Sequence, residues 1–155
     1  MKAVIQRVRD ASVTVGGNIS GRVKKGLLVY LGVASGDTEK DAEYMAEKAT
    51  NLRIFLDADG KMNLSLLDLL PRSGEEPVGV LAVSQFTLLA DARKGRRPYY
   101  GAAAEPEEAK NLYELFMEKV RARGLACEAG VFGARMDLTY TNEGPVTILL
   151  DSRET

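Results

Sequence analysis

Two short polar stretches in otherwise apolar surroundings hold the residues of this chain best suited to chemistry. The first, Ser84-Gln85-Phe86-Thr87, ends the valine-rich run 78–83. An apolar run of that length, bounded by turn residues, reads as a strand buried on both faces, so polar groups at its end need a reason. One reading is a strand that simply reaches the surface. The other is a bend that aims backbone N–H groups near Phe86 and Thr87 into a cleft, where they can hold a developing oxyanion. Gln85 would then orient a substrate. Thr87 would hydrogen-bond to it or attack it, although a hydroxyl without a neighbouring base is a poor nucleophile. The second stretch is Asn142-Glu143-Gly144-Pro145-Val146-Thr147. Its Gly-Pro step is either an ordinary turn or a wall of carbonyls, because glycine lets the backbone approach a ligand closely and proline carries a C=O without an N–H. Such a wall could reject one enantiomer of a small chiral substrate. Together the two stretches would form a pocket that hydrolyses an ester.

Composition narrows the chemistry. The chain has no histidine, which removes the commonest general base and excludes a Ser-His-Asp triad. A single cysteine, Cys127, can form neither an internal disulfide nor a zinc cluster and reads as a small buried hydrophobe. With 21 basic and 22 acidic residues there is no global polycation. Charge does cluster locally, since Arg93-Lys94-Gly95-Arg96-Arg97 puts four cations in five residues. That run is either a solvated loop or a loop that touches phosphates. A length of 155 residues, 45% hydrophobic and 28% charged, suits one ordinary globular domain over residues 1–155. No signal peptide or membrane-spanning run is evident, so the expected compartment is the cytoplasm.

The elements that must position these residues follow from periodicity. Residues 2–8 and 11–15 read as strands, with Gly16-Gly17-Asn18 turning into Ile19 to make a hairpin. Residues 27–33 read as a central strand. Thr38, with Asp41 three residues on, begins a helix whose apolar positions are Ala42, Met45, Ala46, Ala49 and Leu52. Residues 53–56 form a short strand closed by an acidic turn at 57–60, and residues 66–77 read as an exposed loop. Pro106 starts a second helix, with Ala109, Leu112, Tyr113, Phe116 and Val120 facing inward as core and Gly124 at its end. Strands are expected at about 125–131, 135–141 and 145–150. Seven or eight strands in runs, with two main helices, predict an α+β domain in which a curved, barrel-like mixed sheet packs on the helices.

The two polar stretches resemble the signature motifs of the D-aminoacyl-tRNA deacylases, in the expected order. Collinear blocks extend the similarity over nearly the whole chain: Ile5-Gln6-Arg7-Val8, residues 53–57, Gly60-Lys61-Met62-Asn63, Arg96-Arg97-Pro98 and residues 130–136. The resemblance implies a cytoplasmic homodimer that hydrolyses the ester of D-aminoacyl-tRNA, and of glycyl-tRNA mischarged on the alanine tRNA, without metal or cofactor. In that scheme Gly144-Pro145 of one subunit, with a cis peptide, enters the pocket of the other and excludes L-amino acids. Gln85, Phe86 and Thr87 would be catalytic, with Phe86 and Thr87 at the scissile ester. Ser84, Phe132, Met136, Gly144 and Pro145 would bind the substrate, with the Phe132 and Gly144 carbonyls receiving its ammonium. Arg7 would brace the Gly-Pro loop, and Arg93, Lys94, Arg96 and Arg97 would contact the tRNA. The chain departs from the pattern at Tyr99-Tyr100, at Arg135, in the loop 71–77 and in its extended tail. The alternative is a non-catalytic, RNA-binding dimeric module.

Overall fold

One long strand, β1 (Lys2–Val15), joins the rest of the sheet in the computed structural model, which describes residues 1–70 and 77–154. Along one edge β1 pairs antiparallel with β8 (Asp137–Asp151), from Lys2 opposite Asp151 to Thr14 opposite Asp137. Along its other edge it pairs with two strands in turn. Residues 2–8 meet β3 (Lys25–Gly32), and residues 11–15 meet β2 (Asn18–Val23). The hairpin between β1 and β2 turns at Gly16 and Gly17, both at positive φ, as expected for a tight connection. β6 (Val78–Ser84) lies parallel to β3, and β7 (Ala126–Ala129) parallel to β6. A two-stranded hairpin of β4 (Phe55–Leu56) and β5 (Met62–Leu64) stands apart.

The sheet curls until β2 comes back over β7, which makes a half-barrel. A Cβ built on Gly21 would lie 2.6 Å from the Ala129 carbonyl oxygen, so only glycine allows this approach. The alternation of side chains along the strands then fills two cores. Leu27, Val29, Leu31, Val80 and Ala82 face the helices, whereas Leu28, Leu81 and Val83 point inside the curl with Val8, Ala11, Val13 and Val23. Val8 and Ala11 share a face although they lie three apart. Val8 pairs with Asn142 and Asp10 with Thr141, so Arg9 is an extra residue that shifts the alternation by one.

Helix α1 (Glu39–Asn51) starts as its sequence indicates, since the Asp41 carboxylate accepts from the Thr38 N–H at 2.8 Å and from its hydroxyl at 2.9 Å. Helix α2 (Pro106–Arg121) buries Leu112, Tyr113, Phe116, Met117 and Val120. Full burial of each large side chain contributes about 1.5–3 kcal/mol.

The structure departs from the sequence reading in three places. The two strands expected at 135–141 and 145–150 are a single β8, and those at 2–8 and 11–15 a single β1, because pairing between β1 and β8 bridges the irregularities in each. The stretch 66–77 is not exposed at its start. Leu66 is fully buried, and Leu67–Leu69 form a 3₁₀ turn in which the Asp68 carboxylate accepts from the Ser65 N–H and hydroxyl. Residues 71–76 of that expected loop lie outside the described residues.

The chain's tail has a structural part as well. The Met1 amino group is buried 2.9 Å from Asp37 Oδ2, and Arg153 donates from Nη2 to Asp37 Oδ1 at 2.8 Å. Ser152 donates its hydroxyl to Asp41 at 2.7 Å and accepts from the Met1 amine. The start of β1, the end of β8 and the approach to α1 are thereby tied together.

Candidate active site

β6 is buried along its length because β3 and β7 flank it and α2 covers it. At its end the chain bends. Gln85 takes φ −145° and ψ 80° and starts a 3₁₀ turn over Phe86–Leu89, while the Gln85 N–H still donates to the Leu31 carbonyl at 2.8 Å. The bend passes over Gly32, where an added Cβ would lie 2.5 Å from Leu89 Cδ2 and 2.9 Å from the Gln85 oxygen. Only a glycine fits under the turn. Within the turn the first N–H to find a carbonyl is that of Leu88, on Gln85 at 3.2 Å, so those of Phe86 and Thr87 precede its internal ladder.

A cavity of about 520 Å³ opens beside this bend, between the end of β6, the start of α2 and the loop 131–136. Ser84, Gln85, Phe86, Phe132 and Met136 all line it, from two separate regions of the sequence. Phe132 is seated by the ring of Tyr113, with centroids 6.0 Å apart. Met136 packs its sulfur over Gly130, which has no side chain to obstruct it. Thr87 does not line the cavity. It is exposed, and its hydroxyl accepts from Gln85 Nε2 at 2.5 Å.

The wall of this cavity contains one titratable side chain, Tyr113. Its hydroxyl donates to the Ala82 carbonyl at 2.8 Å, and burial pushes its pKa well above the ordinary tyrosine value. The sequence reading placed Tyr113 in the core, and it is 3% exposed, but it also forms part of the cavity wall. Helical spacing could not distinguish the two, because a stripe that packs on a strand end also borders whatever opens there. Ala103, Ala104 and Leu138 are further lining residues with no signal in the sequence.

Gly144 and Pro145 do not line this cavity. They project from β8 within an irregular stretch of the ladder. Asn142 pairs with Val8 and Thr147 with Gln6, so residues 143–146 all lie opposite Arg7. The Gly144–Pro145 peptide is cis, and Gly144 has φ +126°. Arg7, 5% exposed, holds the bulge from behind. Its Nε donates to the Glu143 carbonyl at 3.2 Å and its Nη1 to the Ile54 carbonyl at 2.5 Å. In front, the Asn142 side chain spans the bulge, accepting from the Val146 N–H at 3.1 Å and donating to the Thr147 hydroxyl at 3.0 Å.

The basic loop is closed by paired N–H···O bonds between Asp91 and Tyr99 at 2.8 and 2.9 Å. Arg93 is committed to Asp91, with Nη2 2.6 Å from Oδ2. The side-chain hydrogen bond from Arg93, followed by that from its N–H, holds the Asp91 carboxyl well below the usual carboxylate range. Lys94, Arg96 and Arg97 are exposed and form no ion pair among the described residues.

A family model described as D-Tyr-tRNA(Tyr) deacylase matches residues 4–151. A D-aminoacyl-tRNA deacylase of Koribacter versatilis is 57% identical over 156 residues, covering 99% of each chain. A solved structure titled c-Myc DNA Unwinding Element Binding Protein superposes with a TM-score of 0.86 at 41% identity, covering 97% of this chain and 98% of the other. A probable eukaryotic D-amino acid tRNA deacylase has the same fold, with a TM-score of 0.80 at 20% identity over 96% and 97% of the two chains.

Proposed function

The chain belongs to the D-Tyr-tRNA(Tyr) deacylase family, and from that premise we propose that it hydrolyses the ester of D-aminoacyl-tRNA, releasing the D-amino acid and free tRNA. One observation carries the chemical part of the reading: the cavity offers no side-chain base, since its only titratable group, Tyr113, is tied to Ala82. Rate must then come from positioning and from main-chain dipoles. Water attacks the ester carbonyl, and the N–H groups of Phe86 and Thr87 hold the negative charge that develops on its oxygen. The bond from the acyl carbon to the ribose oxygen breaks, and that oxygen leaves with a proton. The neighbouring ribose hydroxyl of the substrate assists where the protein has no imidazole. Gln85 orients the ester, and its bond to Thr87 fixes both side chains.

Stereoselection would come from a second copy of the chain. In a homodimer the Gly144-Pro145 bulge enters the partner's cavity, and the carbonyls of Gly144 and Phe132 receive the substrate ammonium. An L side chain meets the main-chain wall. Glycine has no side chain to exclude, so glycyl-tRNA mischarged on the alanine tRNA is a second substrate. Ser84 and Met136 complete the binding surface. Arg7, through Glu143, keeps the bulge in place. No helix among the described residues is long and apolar enough to cross a membrane, and the reaction belongs in the cytoplasm, where aminoacyl-tRNA is made and used.

The test is release of tyrosine from D- and L-tyrosyl-tRNA by purified, metal-stripped protein. The expected result is rapid loss of the D-ester alone. Release no faster than the spontaneous rate would leave the competing reading, a non-catalytic RNA-binding dimer.

A further inference from the structure

Between the basic loop and the cavity run residues 99–104, which carry two exposed aromatic side chains. Tyr99 is 71% exposed, Tyr100 36% and Phe86 58%. Tyr100 stands edge-on to Phe86, with centroids 5.0 Å apart, and Phe86, Ala103 and Ala104 belong to the cavity wall. A continuous path therefore leads from Lys94, Arg96 and Arg97, past Tyr99, to Tyr100 and Phe86 at the mouth of the site.

Tyr99 is held in place on this path. Its backbone is fixed by both hydrogen bonds to Asp91. Its ring lies against Gly101, where a Cβ would collide with Cζ, Cε1 and the hydroxyl. Gly101 has no positive φ to explain its presence; what it supplies is space for the ring. A large aromatic surface, fixed on one side and open to solvent on the other, has lost little freedom by being ordered and can receive a flat partner.

Exposed rings interleaved with exposed cations match single-stranded nucleic acid, whose bases stack on aromatic faces while its phosphates meet lysine and arginine. We infer that Tyr99 is a stacking platform for an unpaired base of the tRNA 3′ end, next to the terminal adenosine whose ester enters the cavity. The inference rests on the proposed deacylase reading and assigns Tyr99 the role of a positioning residue. Lys94, Arg96 and Arg97 take the backbone of the same strand, and the Tyr100–Phe86 pair marks where that strand gives way to the ester.

Two measurements on the full chain test this, one of them independent of catalysis. The first compares D-tyrosyl-tRNA with the D-tyrosyl ester of adenosine, which lacks every upstream base. Tyr99→Ala is expected to raise KM for the tRNA about tenfold, near the lower end of what loss of one base–aromatic stack costs, with kcat unchanged. It should leave both constants for the adenosine ester as they are, and Tyr99→Trp should restore the tRNA KM. The second measures binding of uncharged tRNA, intact or trimmed of its last three nucleotides. Tyr99→Ala should weaken the intact form about tenfold and the trimmed form not at all. Equal affinity of wild type and Tyr99→Ala for intact tRNA would overturn the inference. So would a matching loss of kcat on both ester substrates, which would assign the ring to folding of the rim. A wild-type protein that hydrolyses neither ester would refute the deacylase reading, and the binding comparison would still decide the role of Tyr99.

Discussion

Replacing Arg7 with methionine keeps an unbranched side chain of similar reach and deletes the guanidinium. Two contacts are lost at once, the bond from Nη1 to the Ile54 carbonyl and that from Nε to the Glu143 carbonyl. Hydrogen bonds to a charged group are worth about 1.5–3 kcal/mol each, and two carbonyls would lose their partner. Against this, the variant no longer buries a cation whose side chain is 6% exposed, which returns part of the loss. A net destabilisation of about 3 kcal/mol is expected, roughly 6–12 °C in Tm for a domain of this size. The functional effect should exceed what stability alone predicts, because the side chain anchors the bulge that carries Gly144-Pro145. If the bulge forms the proposed wall, a displacement there of about 1 Å would cost on the order of a hundredfold in rate. The assay is urea unfolding alongside deacylation of D- and L-tyrosyl-tRNA at a temperature where the variant is folded. The ratio of the two rates should fall at least about tenfold, with Arg7→Lys intermediate because it keeps the charge without the planar fork. A variant with an unchanged urea midpoint and an unchanged D-to-L ratio would refute the bracing argument.

Other expectations follow from the same geometry. Gly144→Ala puts a methyl 2.9 Å from Val146 Cγ2 and 3.0 Å from Arg7 Nη2, at φ +126°, so hydrolysis of D-aminoacyl-tRNA should drop about tenfold or more, as steady-state kinetics would show. Replacing Lys94, Arg96 and Arg97 together by alanine should raise KM for tRNA and flatten its dependence on log salt by about 2–3, while Arg93→Ala should change that slope little because Arg93 is paired with Asp91. Burial of Asp41 acts to raise its pKa, but hydrogen bonds from Ser152 and Thr38 and the nearby amino-terminal charge outweigh it and bring the value from 3.8 to about 2. A depressed carboxylate contributes stability above its unfolded pKa and loses it as pH falls through the folded one. The urea midpoint should therefore decline between about pH 4 and pH 2, and less steeply in Asp41→Asn.

Much of the fold can be read from local pattern. The run 78–83 is the buried β6, and Pro106 and the Thr38–Asp41 pair mark helix starts because caps and apolar spacing are encoded within a few residues. At Gln85 the sequence leaves two readings open, a strand that reaches the surface and a bend, and the 3₁₀ turn over Phe86–Leu89 shows the bend. What the sequence concealed depends on pairing between distant segments. Gly144-Pro145 looks like a break between two strands, and only the register of β8 on β1 shows a bulge in one. Nothing near Arg7 points to Glu143 or Ile54 as its partners. Arg153 looks like part of a solvated tail until its guanidinium is found on Asp37, 116 residues away in sequence. Tyr113 was hidden differently, because being core and being cavity wall require the same apolar spacing.

The register that sets residues 143–146 against the single residue Arg7 also determines which changes the protein can tolerate. If the proposed carbonyl wall does the recognising, it offers selection little to adjust one side chain at a time, so neighbouring substitutions would accumulate while handedness is preserved. Adding or deleting one residue between Asn142 and Thr147 would do what few substitutions could, because it would re-aim the peptide itself. In such a design fidelity is inherited through spacing.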